Sequence, residues 1–476
     1  MKILFAASEA VPYCKTGGLA DVCGALPPEI SRLGHDVLLC LPYYKAVREK
    51  MLGTREAFRV TAEVGGKKVT AAVREADAGG VRTFLIDAGE LFDREGLYGP
   101  PGSAFEDNDF RYAVFSRAAL TAAERAGFRP DVVHCHDWQT ALIPVYLKTV
   151  LANDVFFGNT ATLLTIHNLS YQGIFPKEAL KTAGLPPELA DGERLGHYDQ
   201  INFLKGGLVF SDALNTVSPR YAEEILTEGF GCSLDWLLRR RENDLRGILN
   251  GLDVRAWDPL SDAALPLKYG ATEAREGKAA AKKRVRLECG FSDDPNVPLT
   301  GVVSRLDYQK GLDTALEILP EYIERGGQFV IVGTGDPALE KSFSELAARY
   351  PNRAHHRKTF DDDFARRVYA GADLFLMPSR FEPCGLGQMI AMRYGAIPVA
   401  VKTGGLADTV PPHGFLADMP RADLLSSALK NAELAFADKA RWAKRVAAAM
   451  GVDFAWDASA RKYCDVYAAI TDGASH

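Results

Sequence analysis

Arg305 and Lys310 stand five residues apart, directly after the apolar run 299–304. An arginine offers a planar fork of donors and a lysine a mobile point charge, so the two can converge on one diphosphate. A solvated surface pair is the more ordinary fate of such residues. Spacing by itself therefore leaves a phosphate-binding role and a surface role open.

Glu382 follows a second apolar run, 374–377, and is succeeded by Cys384, Gly385 and Leu386. A carboxylate at this place could accept hydrogen bonds from sugar hydroxyls or oppose a developing positive charge. It could also serve only to complement the dipole of the helix that the next residues predict. Cys384 has no partner base nearby in the sequence, so we interpret it as a small packed residue rather than a nucleophile.

One seven-residue phrase, Lys-Thr-Gly-Gly-Leu-Ala-Asp, occurs twice, at 15–21 and at 402–408. Each copy lies just beyond an apolar run. A strand that ends in paired glycines and leads into a helix exposes backbone N–H groups to an anion, and glycine lets the ligand approach closely. We therefore predict two facing anion-binding loops, one in each of two similar domains. The residues in question are Lys15, Gly17, Gly18, Thr403, Gly404 and Gly405.

Histidines and a carboxylate end two further strand-like runs. His134 and His136 would share one face of a strand, as a metal-binding pair does, but no carboxylate-rich partner stands out. Asp137, at the end of that strand, is the better functional candidate. His167 ends the next strand; a core histidine is the commoner case, although its position fits a site.

Two acid-rich strings, 107–109 and 361–363, resemble the D-x-D patterns that bind Mg²⁺ with a nucleotide diphosphate. Each lies just before a predicted helix, where acids cap the first turn and complement the dipole. We favour the capping role for both strings and expect no metal.

Composition narrows the class of protein. The 476 residues are 47% hydrophobic and carry a net charge of −6, which argues against a general binder of nucleic acid or of anionic membranes. The eight cysteines include no C-x-x-C pair, which is typical of free thiols in a reducing compartment. No apolar run approaches the ~18 residues of a membrane span, and the start is not typical of a signal peptide. We expect a cytoplasmic protein.

Strand-like and helix-like runs alternate through both halves of the chain, which predicts an α/β fold with parallel sheets flanked by helices. Runs between 57 and 87, separated by paired glycines, predict hairpins inserted in the first half. The alternation breaks around 247–260. We therefore expect two Rossmann-like, doubly wound domains facing across a cleft, 1–250 and 251–455, followed by a C-terminal helix, 456–476, that packs back on the first domain.

With these residues in view, the chain resembles the bacterial glycogen synthases, family 5 glycosyltransferases of the GT-B fold, over essentially its full length. The motifs that carry the resemblance are 15–19, 136–138, 165–169, 250–251, 304–306 with 310–311, 378–385 and 403–406. Together they are far more specific than a single glycine loop.

The resemblance implies transfer of glucose from ADP-glucose to the non-reducing end of an α-1,4-glucan, with retention and without a metal or other cofactor. The first domain would serve the acceptor and the second the nucleotide sugar. Arg305 and Lys310 would neutralise the departing ADP, with Glu382 beside the donor glucose. Asp137 and His167 would line the sugar site. The residues that would bind substrate are Lys15, Gly17, Gly18, Asp21, Asn168, Asn250, Phe360, Cys384, Gly385, Leu386, Thr403, Gly404 and Gly405.

Two positions depart from related enzymes. Ile390 stands where a second glutamate is common, and Phe360 stands where a tyrosine usually stacks on the base. A donor such as UDP-glucose therefore stays an alternative, as does a glucan-binding protein without activity. A nicotinamide dehydrogenase does not fit, because the G-x-G-x-x-G expected at the first turn is absent.

Overall fold

The computed structural model describes residues 1–50, 53–100, 102–359 and 361–473. The chain divides into two compact units. The N-terminal unit comprises Met1–Gly251 with the chain from Trp456 onward, and the C-terminal unit comprises Leu252–Ala455.

A nine-stranded sheet forms the centre of the N-terminal unit. Its strands are β1 (Lys2–Ala6), β2 (Asp36–Pro42), β3 (Arg55–Val64), β4 (Lys67–Ala78), β5 (Val81–Asp87), β6 (Val132–His136), β7 (Ala161–Ile166), β11 (Ala213–Thr216) and β12 (Leu245–Gly247), and a separate small sheet holds β8 (Ile174–Pro176), β9 (Gly196–His197) and β10 (Gln200–Asn202). The large sheet has the order β12-β11-β7-β6-β1-β2-β5-β4-β3, and only β4 runs in the opposite direction, pairing antiparallel with both β5 and β3. Strands β6 and β7 are wholly buried, as expected where helices cover both faces.

Helices of the N-terminal unit include one from the far end of the chain. They are α1 (Gly18–Arg32), α2 (Lys45–Glu49), α3 (Asn108–Arg125), α4 (Leu142–Lys148), α5 (Ala179–Thr182), α6 (Phe203–Phe210), α7 (Pro219–Glu224), α8 (Asp235–Arg240) and α17 (Trp456–Gly473). Helix α17 packs against α1 and β7 and buries Trp456, Tyr463 and Tyr467 in the hydrophobic core of this unit.

The C-terminal unit is built on a six-stranded, wholly parallel sheet. Its strands are β13 (Leu299–Val303), β14 (Gln328–Val332), β15 (Ala354–Arg357), β16 (Leu374–Met377), β17 (Ile397–Val401) and β18 (Phe415–Ala417), and its helices are α9 (Ala274–Cys289), α10 (Leu312–Glu324), α11 (Pro337–Arg349), α12 (Asp362–Gly371), α13 (Gly387–Arg393), α14 (Gly404–Thr409), α15 (Ala422–Ala437) and α16 (Lys439–Met450). The order β15-β14-β13-β16-β17-β18 is the 3-2-1-4-5-6 order of dinucleotide-binding folds. Strands β5-β2-β1-β6-β7-β11 of the other sheet repeat this order.

The predicted α/β class with two parallel-sheet domains is confirmed. The hairpins predicted between 57 and 87 are also present, as β3, β4 and β5. The apolar stretch after Asp137 predicts a helix over 138–150, and this prediction is wrong at its start, because α4 begins only at Leu142 and the preceding residues form turns. No helix in the described parts of the chain is long and apolar enough to cross a membrane.

Candidate active site

Three neighbouring strands of the N-terminal unit, β1, β6 and β7, end at the same edge of the sheet. The connections leave β1 and β6 in opposite directions, and ligands of such sheets bind at this switch point, beyond the carboxyl ends of the strands. The loops that follow the three strands carry residues 7–17, Asp137 and His167 with Asn168. The fold thus brings the residues predicted from separate motifs to one edge.

The loop after β1 is organised by Glu9, a buried carboxylate that the motif analysis did not single out. Its oxygens accept hydrogen bonds from the backbone N–H and the hydroxyl of Thr16, from the N–H of Gly17 (3.4 Å) and from the hydroxyl of Tyr98. Burial raises the pKa of Tyr98, which keeps this hydroxyl protonated as a donor. The backbone N–H groups of Thr16 and Gly17 are therefore hydrogen-bonded to an internal carboxylate, and ligand binding by this loop stays a prediction.

Lys15 and Asp21 form an ion pair of 2.7 Å at the start of α1, and the lysine side chain is 45% exposed. Gly17 is the N-cap of α1 with an extended backbone, φ −153°. A Cβ added at Gly17 or Gly18 would meet no atom within 4 Å. Glycine leaves open space at this loop, and that space is where a ligand could approach the backbone.

Asp137 lies in a left-handed backbone conformation, φ +56°, directly after β6. Its carboxylate accepts a hydrogen bond from the N–H of His167 (2.7 Å) and another from the N–H of Asn168, so it holds the loop after β7. Burial nevertheless raises the pKa of Asp137 to about 7. Burial lowers the pKa of His167 to about 3, so that imidazole is neutral at physiological pH.

Asn250, in the loop after β12, is 6% exposed. Its buried Oδ1 has no hydrogen-bond partner among the described residues. A buried unpaired amide oxygen costs free energy unless a partner arrives, so this atom is a candidate to bind a hydroxyl donor.

In the C-terminal unit, β13 and β16 are neighbours whose following loops carry the predicted cations and the glutamate. Lys310 Nζ lies 2.7 and 3.0 Å from the two carboxylate oxygens of Glu382, and the Ser379 hydroxyl donates to the same carboxylate at 2.9 Å. Both members of the ion pair are largely buried. Arg305, by contrast, is 54% exposed and forms an ion pair of 3.4 Å with Asp307.

Gly311 allows this arrangement. It has φ +60°, and a Cβ there would lie 2.1 Å from the carbonyl oxygen of Pro378. The turn that carries Lys310 therefore packs directly on the loop that carries Glu382, and no larger residue fits between them.

The second copy of the repeated phrase begins α14 after β17. Here the N–H of Thr403 donates to the Val401 carbonyl (3.0 Å) and that of Gly405 to the Glu382 carbonyl (3.1 Å). These two amides are thus hydrogen-bonded within the unit, and ligand binding by this loop stays a prediction. A Cβ on Gly404 or Gly405 would fall 2.0 to 2.1 Å from carbonyl oxygens of the loop at Glu382 and Cys384.

The loop from Cys384 to Leu386 leads into α13, as predicted, and Cys384 is buried. Gln388, which the motif analysis missed, donates from Nε2 to the carbonyls of Cys384 (3.0 Å) and Gly385 (2.9 Å). Its position on the first turn of a helix behind a glycine loop is the signal that could have indicated this role.

The remaining predictions concern base stacking and metals. Phe360 lies outside the described residues. Asp361 caps α12 through the N–H of Phe364 (2.9 Å), and Asp107 pairs with Arg94 at 2.7 Å. Over the described ranges, no cluster of three or more His, Cys, Asp or Glu residues could hold a metal ion.

The chain is similar to known proteins over essentially its full length. Residues 2–240 match the family model described as starch synthase catalytic domain, and 297–434 match glycosyl transferases group 1. The glycogen synthase of Geotalea daltonii is 44% identical, with 98% of both chains covered, and glycogen synthase 2 of Geobacter metallireducens is 43% identical, with 99% of both covered. The catalytic domain of starch synthase IV from Arabidopsis thaliana, solved with ADP and acarbose, superposes with a TM-score of 0.91 at 32% identity and covers 99% of both chains.

Because the chain is 43–44% identical to glycogen synthases over nearly its full length and shares the fold of a starch synthase, it is a glycosyltransferase of the GT-B class and belongs to the glycogen and starch synthase family.

Proposed function

We propose that this enzyme elongates α-1,4-glucan chains by transferring glucose from ADP-glucose to the non-reducing end, with retention at the anomeric carbon and release of ADP. The observation that carries the proposal lies at the ends of β13 and β16: one loop holds an exposed Arg305 and a Lys310 that pairs with the buried Glu382 of the other loop. The names of the relatives support the glucan acceptor, and the ADP in the starch synthase IV structure supports an adenine nucleotide.

The charges fit a reaction in which a diphosphate departs. When the bond between the anomeric carbon and the phosphate oxygen breaks, negative charge grows on the phosphate and positive charge on the sugar ring. Arg305 and Lys310 would stabilise the first, and the carboxylate of Glu382 the second. The glucan hydroxyl then bonds to the anomeric carbon on the face that the phosphate leaves, and its proton passes to a phosphate oxygen.

The N-terminal unit has polar groups of its own that we assign to substrate binding. The exposed Lys15, the open space beside Gly17 and Gly18, and the unpaired Oδ1 of Asn250 are available to polar ligand atoms. The resemblance implies that Asp137 lines the sugar site, but we assign it a positioning role instead. It positions the loop of His167 and Asn168 through their backbone amides, and its burial favours this role over direct contact with the reacting carbon.

Transfer of radiolabelled glucose onto glycogen tests the proposal, with ADP-glucose and UDP-glucose compared side by side and with or without EDTA. We expect incorporation from ADP-glucose that EDTA does not reduce. A preference for UDP-glucose would overturn the donor assignment and direct attention to Phe360. Glucan binding without incorporation from either donor would overturn the catalytic proposal.

A further inference from the structure

We infer that His136, which is completely buried behind His167, is a positioning residue that holds His167 in the tautomer with its proton on Nδ1. The inference rests on the proposed function, because it concerns how His167 meets the sugar. It begins from a direct contact: Nδ1 of His136 lies 2.9 Å from Nε2 of His167.

Both rings are neutral. His136 is completely buried, and burial lowers its pKa well below the usual value, while burial lowers that of His167 to about 3. Each neutral imidazole carries one proton, so one ring must donate in this hydrogen bond and the other must accept.

The surroundings of the other ring nitrogen of His136 decide which of the two histidines donates in this hydrogen bond. Its Nε2 is buried and has no hydrogen-bond partner among the described residues. If His167 donated, the proton of His136 would sit on this Nε2 as a buried N–H without an acceptor, and such orphaned donors are rarer than unpaired acceptors. His136 therefore donates from Nδ1, and His167 must carry its own proton on Nδ1.

Neighbouring His134 cannot supply the missing partner, because both of its nitrogens are engaged. Thr165 gives its one hydroxyl proton to Oδ1 of Asn215 (2.5 Å), so it accepts from Nε2 of His134 (2.6 Å). Nδ1 of His134 then accepts from the hydroxyl of Tyr467 on α17 (2.8 Å).

Packing against two neighbouring rings holds the His136 imidazole in place. His136 lies against Phe5 of β1, with ring centroids 5.5 Å apart, and against His134, 4.1 Å away. A neutral His167 held in this way offers a donor from Nδ1 and cannot act as a base at physiological pH. His136 acts only through it.

Long-range proton–nitrogen correlation spectra of the enzyme labelled with ¹⁵N-histidine test the tautomer directly, with His167→Gln used to assign the signals. We expect Nδ1 of His167 to show the protonated shift and Nε2 the unprotonated one. The opposite pattern would overturn the inference. This readout does not depend on turnover, so an enzyme that transfers no glucose would refute the proposed function and leave the tautomer to be judged separately.

Kinetics of two nearly isosteric variants test the positioning role. His136→Leu should lower kcat roughly three- to tenfold, with KM for the donor little changed, as the loss of one hydrogen bond predicts. His136→Asn keeps an N–H donor where Nδ1 lies and should recover most of that loss. Tyr467→Phe is the control, since it removes a hydrogen bond from His134 alone; we expect normal kcat and an unchanged His167 tautomer.

A folded His136→Leu enzyme with full kcat would exclude the role, and so would a Tyr467→Phe enzyme that loses as much activity. If His136→Leu fails to fold, His136→Asn and the wild-type spectrum still decide, because an asparagine variant with a poor kcat and a normal melting temperature would contradict the inference.

Discussion

Arg305 and Lys310 lie five residues apart but have different surroundings. We therefore expect them to contribute differently to the stability of the fold. Lys310 is 18% exposed and pairs with a glutamate that is 6% exposed, whereas Arg305 is 54% exposed. Removing one member of a buried pair leaves the other charge uncompensated, at a cost of about 3–5 kcal/mol. An exposed pair such as that of Arg305 contributes roughly 0–1 kcal/mol.

Arg305→Ala should therefore lower kcat by ~10²–10³, as for other lost charge-stabilising groups, and leave the melting temperature unchanged. Lys310→Ala should lower both kcat and the melting temperature. Initial rates and calorimetry on each variant check this, and the double variant Lys310→Ala with Glu382→Gln should regain stability but not activity. A folded Arg305→Ala enzyme with normal turnover would remove this residue from the proposed site.

A second prediction concerns Asp137 and pH. Burial raises the pKa of Asp137 to about 7, above the value of about 3.9 in an unfolded chain. The folded state therefore binds the proton of Asp137 more tightly than the unfolded chain does. The resulting stabilisation is fully present below about pH 4 and is lost as the pH rises to 7, by about 1.4 kcal/mol per pH unit. Asp137→Asn should lack this slope.

Denaturant unfolding of wild type and Asp137→Asn at pH 4.5, 5.5, 6.5 and 7.5 measures the difference. Parallel stability curves for the two proteins would show that the carboxyl ionises at its ordinary pKa. Asp363→Asn, on the exposed start of α12, is a suitable control because its carboxyl is far less buried.

At the scale of elements, the two copies of the repeated phrase use their glycines differently. In the first copy, Gly17 has an extended backbone and borders open space. In the second, Gly405 packs against the loop at Cys384 so closely that a Cβ would lie 2.1 Å from its carbonyl oxygen. Identical sequences therefore have different tolerance to substitution.

Gly405→Ala should destabilise the protein by at least the ~1–3 kcal/mol typical of overpacking and also displace Glu382, so both the melting temperature and kcat should fall. Gly17→Ala should fold normally and lose activity only if a ligand occupies the space beside it. Equal melting temperatures for the two variants would contradict the different packing of the two loops.

At the scale of the whole molecule, the last helix belongs to the first unit. Trp456 is 3% exposed, lies within the core of the N-terminal unit and sits so close to Gly251 that a Cβ there would lie 2.6 Å from its ring. The fold of the N-terminal unit is therefore complete only after the chain has passed through the whole of the C-terminal unit.

Trp456→Ala should cost about 3–5 kcal/mol, the usual range for removal of a buried aromatic side chain. Calorimetry should show a lower transition temperature. Leu434→Ala, which truncates a side chain that is 73% exposed, should leave unfolding unchanged. Similar shifts in the two variants would mean that α17 adds little to the core.

The elements that could be predicted were those with a strong local pattern. Buried parallel strands such as β1 and β17 appear as short apolar runs and were found. Edge strands β15 and β18 were missed, since Ala354–Arg357 has only one fully buried residue and Phe415–Ala417 is three residues long. The start of the helix predicted at 138 was wrong because the turn that positions Trp138 has no distinctive local signal.

By itself the sequence determined the fold class, the family and the chemical types at the candidate site, because strand periodicity and motif residues are local properties of the chain. Tertiary structure decided which groups meet. Lys310 and Glu382 are 72 residues apart, and Glu9 occupies amides that looked free for a ligand. The ionisation of Asp137 and the tautomer of His167 were decided in the same way, since both depend on burial and on partners that come from distant strands.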